Sequence, residues 1–465
     1  MKSHIAEIVN AGMLMLGFGQ SGEGVVRVTA VREGQTRLLT KFPFRFESNR
    51  DGKWYNLDLL RSFWTRVHGD LGSSLTDLIR GVRIFGVTYW GADLILLDGN
   101  LAPIAAVNYP SALHDTKLAK RIAGIDRKRW HMRLKGAAQD AYQPIGVLGF
   151  MFTHLPKDVW AKVRYIVPVT DWLCYTLTGK QGHDVNMLQS MGLLGDAKTV
   201  VAELFAELFG ERLPGELCPW PVMDTNTIMQ IADGAYVAPF SHDSIWARLH
   251  APVTGWMGTW CGGAILNCDG RIAPCDATLA AQGTFEGFGG HQAFQKNTGM
   301  HGATYEQLVQ LAELTFPQAA EVAAKFGPLP CIAAAELNCR TPQEAAGFVQ
   351  GMLQGKGLSG SREEAMAAVL QSLAASIHED LQQLATAAGM SSVHRVAVVG
   401  GFADNPTFAQ LLRGRGLDVY LPPHARDATE FGYLADAVRR YLLAVHGAQV
   451  AIADILPELP DMVRG

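Results

Sequence analysis

Twice along this chain a short apolar segment is followed closely by glycines and further extended segments. "LMLGFG" (Leu14–Gly19) leads into "GVVRVTAV" and "TRLLTKFPF", and the pattern restarts at "GWMGTWCGGAILNC" (Gly255–Cys268). Extended segments joined by glycine turns build antiparallel hairpins. Each set is followed by helical and buried-strand patterns, the sequence of a mixed α/β domain. At 465 residues the chain is too long for one ordinary core, so the repeat predicts two α/β domains, the second beginning near Leu249.

Along the rest of the chain the reading continues in the same terms. A helix is predicted from about Leu57 to Ile79, then the strand "RIFGVTYW" with "DLILLD" as its hairpin partner. Lys157–Phe209 reads as mainly helical, with "DVWAKVRYIVPVTDWLCYTLTG" stopping at Gly179. Leu370, Leu373, Ile377, Leu381 and Leu384 share one helix face, and that helix ends at Gly389. "RVAVVGGFADNPTFAQLL" then reads as buried strand, Gly-Gly turn and helix, the geometry in which α/β folds bind ligands.

Composition limits the function classes. A formal charge of −4 without long like-charge runs argues against a nucleic-acid stripe or a polybasic membrane patch. Seven cysteines at spacings such as Cys261-x6-Cys268 and Cys331-x7-Cys339 match neither a zinc knuckle nor a C-x-x-C pair, and read as reduced thiols of a cytoplasmic protein. The apolar run Ala11–Phe18 follows Glu7 and reads as a first strand rather than a leader or a membrane span.

Four places offer chemistry. In "YVAPFSHDS", His242–Asp243 stands where a strand gives way to a polar turn, which suits a general base for a hydroxyl; Asp243 equally suits the N-cap of a helix near Ile245, and the two roles are compatible. Gly258–Thr259–Trp260 offers backbone N–H groups and a hydroxyl to phosphate oxygens, or a plain turn beside a core Trp. Gly400–Gly401 lets a flat ring lie against backbone, or simply makes a tight turn. Trp90 and Asp93 pair an aromatic ring with an acid at a strand end, as a polyhydroxylated ligand needs, or belong to an apolar hairpin. No Walker-A pattern is present.

In this order and spacing the motifs resemble the FGGY carbohydrate kinases over the chain to about Arg440, nearest the rhamnulokinase and fuculokinase branch. The matches are "WGAD" (Trp90–Asp93), "DWLCYTLTG" (Asp171–Gly179), "SHDS" (Ser241–Ser244), "GTW" (Gly258–Trp260), Lys296–Asn297, "GGFADN" (Gly400–Asn405) and "DATEFG" (Asp427–Gly432). The resemblance implies two ribonuclease H-like domains of the actin and hexokinase type, 1–248 for the sugar and 249–465 for the nucleotide, closing on a cleft. It implies ATP and Mg2+ as cofactors and a sugar or polyol as the small-molecule partner, with a homodimer left open. Asp243 would be the base and His242, Trp90 and Asp93 would hold the sugar. Gly258 and Thr259 would face the phosphate, and Gly400, Gly401 and Asn405 the adenine side; no metal ligand is assigned.

Three departures from that pattern stand out. Gly17, or Phe18 one register on, occupies the place of the first-loop acid, with Glu23 farther round the loop and Gly24 or a neighbour in place of the Arg. Thr88 and Tyr89 replace the acidic and small residues before Trp90, and Phe402 stands for a third glycine. These changes suit a kinase of altered substrate, or a relative that binds without catalysis.

Overall fold

The computed structural model describes residues 2–18, 25–32, 35–43, 46–49, 52–62, 82–89, 93–107, 115–126, 129–130, 133–134, 143–231, 234–242, 246, 255–257, 263–267, 285–288, 291–297, 301–338, 340, 342–387 and 390–463. The chain opens with helix α1 (Lys2–Ala11), so the run read as one strand from Ala11 is a helix end followed by strand β1 (Met13–Phe18). β2 (Val25–Arg32) and β3 (Gln35–Pro43) extend it as the antiparallel meander that the glycines predict. The helix expected from Leu57 to Ile79 is described only over Leu57–Arg61. β4 (Ile84–Tyr89) then returns parallel to β1, on its other side.

"DLILLD" is not the hairpin partner of β4. Its core, β5 (Leu94–Leu97), pairs antiparallel with β6 (Pro103–Val107) and β7 (Tyr165–Pro168) in a separate six-stranded sheet. All four side chains of β5 are buried, two in each of the cores that flank it, and burial on both faces erases the alternation that marks an exposed hairpin. β7 also interrupts the helical reading of Lys157–Phe209. Beyond it, α2 (Val169–Thr178) ends at Gly179 as expected, and α3 (Val185–Ser190) follows.

The chain comes back to the first sheet as β8 (Tyr236–Val237) and β9 (Ser241–His242), both parallel to β4. The order β3–β2–β1–β4–β8, antiparallel for three strands and parallel thereafter, is repeated in the second sheet. There β10 (Gly255–Met257) and β11 (Gly263–Asn267) form the first hairpin, and β12 (Phe285–Phe288) and β13 (His291–Asn297) extend it. Helix α4 (Arg362–Ala387) crosses over to β14 (Arg395–Val398), which runs parallel to β10. After α5 (Pro406–Arg413), β15 (Asp418–Tyr420) closes the sheet. Leu370, Leu373, Ile377, Leu381 and Leu384 of α4 are all buried in that half's core, as their spacing predicts. Two sheets of ribonuclease H-like order confirm the fold class.

The last helix, α6 (Ala428–His446), does not stay with the second sheet. It packs on β4 and β1, and β16 (Met462–Val463) pairs with β3. Met13, Met15 and Ile84 meet α1 and α6 on one face of the first sheet, while Leu14, Leu16, Phe85 and Val87 fill the core on the other. The approach of α6 depends on two missing side chains: a Cβ on Gly86 would overlap the Tyr433 ring, and one on Gly432 would overlap the Trp246 carbonyl. Gly432→Ala therefore has to push α6 away from the Trp246 backbone and is expected to cost about 1–3 kcal/mol. A urea-unfolding midpoint equal to that of the parent protein would show that the helix relaxes without penalty.

Candidate functional site

Three parallel strands of the first sheet end together. Gly17 on β1 is the register partner of Thr88 on β4, and Thr88 is the partner of Ser241 on β9; His242 pairs with Tyr89. From these ends the sequence continues to Gly19, to Trp90 and to Asp243. Carboxyl ends of parallel strands are where α/β folds bind ligands, because the connecting loops converge there. Trp90 and Asp243 lie outside the described residues, and of His242 the backbone alone is described.

The row itself carries no carboxylate. Gly17 is buried, and Thr88 Oγ1 and Ser241 Oγ are buried without a hydrogen-bond partner among the described residues. The two departures from the kinase pattern, at Gly17 and at Thr88, are thus one change seen on neighbouring strands. Asp93 stands just before β5 and is 3% exposed, with its Oδ2 accepting a hydrogen bond from the Tyr55 hydroxyl. That phenol fixes the acid in place.

In the second sheet, Met257 at the end of β10 is the register partner of Val398 at the end of β14. Gly258 and Thr259 follow the first of these and lie outside the described residues; Gly400 and Gly401 follow the second. Gly400 has φ +77° and ψ −157°, a conformation essentially closed to other residues, and its N–H donates to the Ala425 carbonyl at 2.6 Å. A Cβ on Gly401 would meet nothing within 4 Å, so the turn presents bare backbone with open space in front of it. Asn405 is buried, and its carboxamide serves the fold: Oδ1 caps α5 by accepting from Phe408 N–H at 2.9 Å, and Nδ2 donates to Tyr305 Oη at 3.4 Å. Phe402 packs between Tyr305 and Phe408, at ring-centroid distances of 5.8 and 5.0 Å. It fills the helical core beneath the turn.

Behind β9 lies a buried polar group that sequence reasoning missed. His183 Nδ1 donates to Asp171 Oδ2 at 2.7 Å, while Trp220 N–H donates to His183 Nε2 at 3.0 Å; the backbone donor fixes the ring proton on Nδ1. Burial pushes the Asp171 carboxyl up, and the histidine opposes that shift. Asp184, fully buried, caps α3 by accepting from Met187 N–H at 2.8 Å through Oδ1. Burial raises its carboxyl to about 7 against the pull of the Arg440 charge. The available signal was an acid inside an otherwise apolar segment, Asp171 in "YIVPVTDWLCYTL", followed by a second His-Asp pair at 183–184.

A carboxyl raised in the fold holds a proton that the unfolded chain releases above its ordinary value near 3.8. Its presence therefore lowers stability as pH rises from about 4 to about 7, and the penalty is complete above that. Asp184→Asn removes the penalty, so the variant is expected to gain roughly 1–3 kcal/mol on the parent protein between acid and mildly alkaline pH. A difference between the two that stays flat from pH 5 to pH 8 would contradict the raised titration.

No family model and no curated protein matches this sequence. Solved structures that share the fold include xylulose, gluconate and glycerol kinases. A xylulose kinase from Lactobacillus acidophilus has a TM-score of 0.66 at 13% identity, over 96% of this chain and 91% of that one. A glycerol kinase from Plasmodium falciparum, solved with ADP, has 0.67 at 12% over 97% and 93%. A xylulose kinase from Rhodospirillum rubrum has 0.67 at 14% over 96% and 92%. At these identities the likeness is one of fold, and it does not single out the rhamnulokinase and fuculokinase branch. Among the described residues no helix is long and apolar enough to cross a membrane, and no three metal-ligating side chains cluster.

Proposed function

We propose that this chain is an ATP-dependent carbohydrate kinase of the FGGY type, acting on a hydroxyl of a ketose, deoxyketose or polyol. The observation that carries the reading is the double convergence of strand ends. In the first sheet, neighbouring strands lead to Trp90 and to His242–Asp243; in the second, neighbouring strands lead to Gly258–Thr259 and to Gly400–Gly401. The strands that these motifs follow in sequence are neighbours in each sheet, which supports the reading, as does the fold shared with xylulose and glycerol kinases.

In this reading residues 1–248 bind the sugar and 249–465 the nucleotide. Asp243 accepts the proton of the attacking hydroxyl as its oxygen bonds to the γ-phosphorus and the bond to the β-phosphate oxygen breaks, releasing ADP. His242 and Trp90 hold the sugar, with Asp93 and Tyr55 as a fixed pair beside it. Backbone N–H groups at Gly258 and the Thr259 hydroxyl receive the transferring phosphate, and the open backbone of Gly401 accepts the adenine ring. Asn405 acts on the nucleotide side by capping the helix after that turn. Mg2+ arriving with ATP supplies charge neutralisation at the phosphates. The described strand ends offer it hydroxyls but no carboxylate.

The test is ADP release with Mg2+ and ATP across ketoses, deoxyketoses and polyols. Turnover with one sugar supports the kinase. The adjacency of Gly17 and Thr88, with no acid between them, favours a second reading: a relative that binds sugar or nucleotide without transferring phosphate. Thermal stabilisation by a sugar or by ATP, with no ADP released from any of the panel, would establish that reading instead.

A further inference from the structure

Asp184 has two buried oxygens and only one of them is used by the helix it caps. Oδ2 has no partner at hydrogen-bond geometry among the described residues, and neither has the Ser241 hydroxyl, although that hydroxyl is close enough to favour the ionised carboxylate. A buried acceptor and a buried donor left open beside each other are costly unless they meet, and each is chemically the other's partner. Around them Asp171, His183 and Cys174 come from the α2 side, and Arg440, tied to Asp436, comes from α6. Asp184 begins α3, which contacts both β9 and, in the second sheet, β12. Ser241 is on β9, two residues before Asp243.

We propose that Asp184 is a positioning residue whose hydrogen bond with Ser241 sets the end of β9, and with it Asp243, while α3 links that strand to the outer hairpin of the second sheet. The inference rests on the kinase reading for its catalytic consequence, though not for its structural one. Asp184 touches neither sugar nor phosphate. It acts through the strand.

The experiment compares Ser241→Ala, Asp184→Ala and the double variant with the parent protein. Amide hydrogen exchange is read by mass spectrometry on peptides spanning residues 238–246, together with kcat and the sugar KM. Each single variant is expected to exchange about tenfold faster there, the worth of one buried hydrogen bond, and to lose about tenfold in kcat. The sugar KM should stay within about twofold, since sugar binding is not what the bond serves. The double variant should be no worse than the weaker single one, because both remove the same bond. Exchange and kcat unchanged in Ser241→Ala would overturn the proposal, even where Asp184→Ala is impaired, since Asp184 would then only cap α3. If the parent protein turns over no sugar, the kinase reading falls, and the exchange rates alone decide the positioning role.

Discussion

Arg440→Ala is expected to destabilise the protein by about 3–5 kcal/mol, the cost of removing one partner from a buried charged group. The guanidinium is 1% exposed. Nε donates to Asp436 Oδ2 at 2.7 Å and Nη1 to the Thr227 carbonyl at 3.0 Å, joining α6 to the segment that leads into β8. Its charge also offsets the burial of Asp184. Asp436 keeps a second partner, because Arg439 Nε donates to its Oδ1 at 2.8 Å. The Thr227 carbonyl and Asp184 lose theirs, and the truncated side chain leaves a void. Urea unfolding measures the loss, and adding Asp184→Asn to Arg440→Ala should recover part of it, since the second change removes the acid left without its cation. A recovery no larger than the gain that Asp184→Asn gives in the parent protein would mean that Arg440 and Asp184 are energetically independent, and a loss under about 1 kcal/mol would mean that the buried guanidinium contributes little.

Much of the frame was legible where the pattern is local. Strands β1 to β3 and β10 to β11 are short, punctuated by glycine and strongly apolar, so periodicity and turn residues suffice to find them. The four leucines and one isoleucine of α4 could be assigned to one buried face on spacing alone. What failed was pairing. Nothing within "DLILLD" says that its partners are Pro103–Val107 and Tyr165–Pro168 rather than the strand before it, because that choice is made by burial on both faces. The return of α6 to the first sheet is equally silent: it depends on Gly86 and Gly432 meeting a ring and a carbonyl far away in sequence.

The site divides in the same way. Register shows that the loops carrying the motifs leave neighbouring strand ends, which supports the order-based resemblance. It also shows that Gly17 and Thr88, noted separately in the sequence, are side by side. Asn405 and Asp93 were read as ligand-facing from their motifs, yet the hydrogen bonds of both run to other protein groups, Phe408 and Tyr305 for one and Tyr55 for the other. Residue type and motif position do not reveal whether a polar atom is already engaged by the fold. Asp184 is the converse case, an acid with no motif assigned to it and one oxygen left over.

Asp243→Asn carries the largest expected functional effect. In the proposed kinase, with glycine and two hydroxyl residues across the ends of β1, β4 and β9, the acid that follows His242 in sequence would be the carboxylate available to an attacking hydroxyl. Asparagine keeps the shape and can still cap a helix near Ile245, but it cannot accept the proton. Loss of a general base costs on the order of 10²–10⁴ in rate, and the absence of a second acid in the row argues for the upper end of that range. Sugar affinity by calorimetry should change little, because the group acts as the hydroxyl ionises rather than when the sugar binds. A variant that releases ADP at the parent rate would remove Asp243 from the chemistry. One that folds and loses sugar affinity together with turnover would make it a binding residue instead.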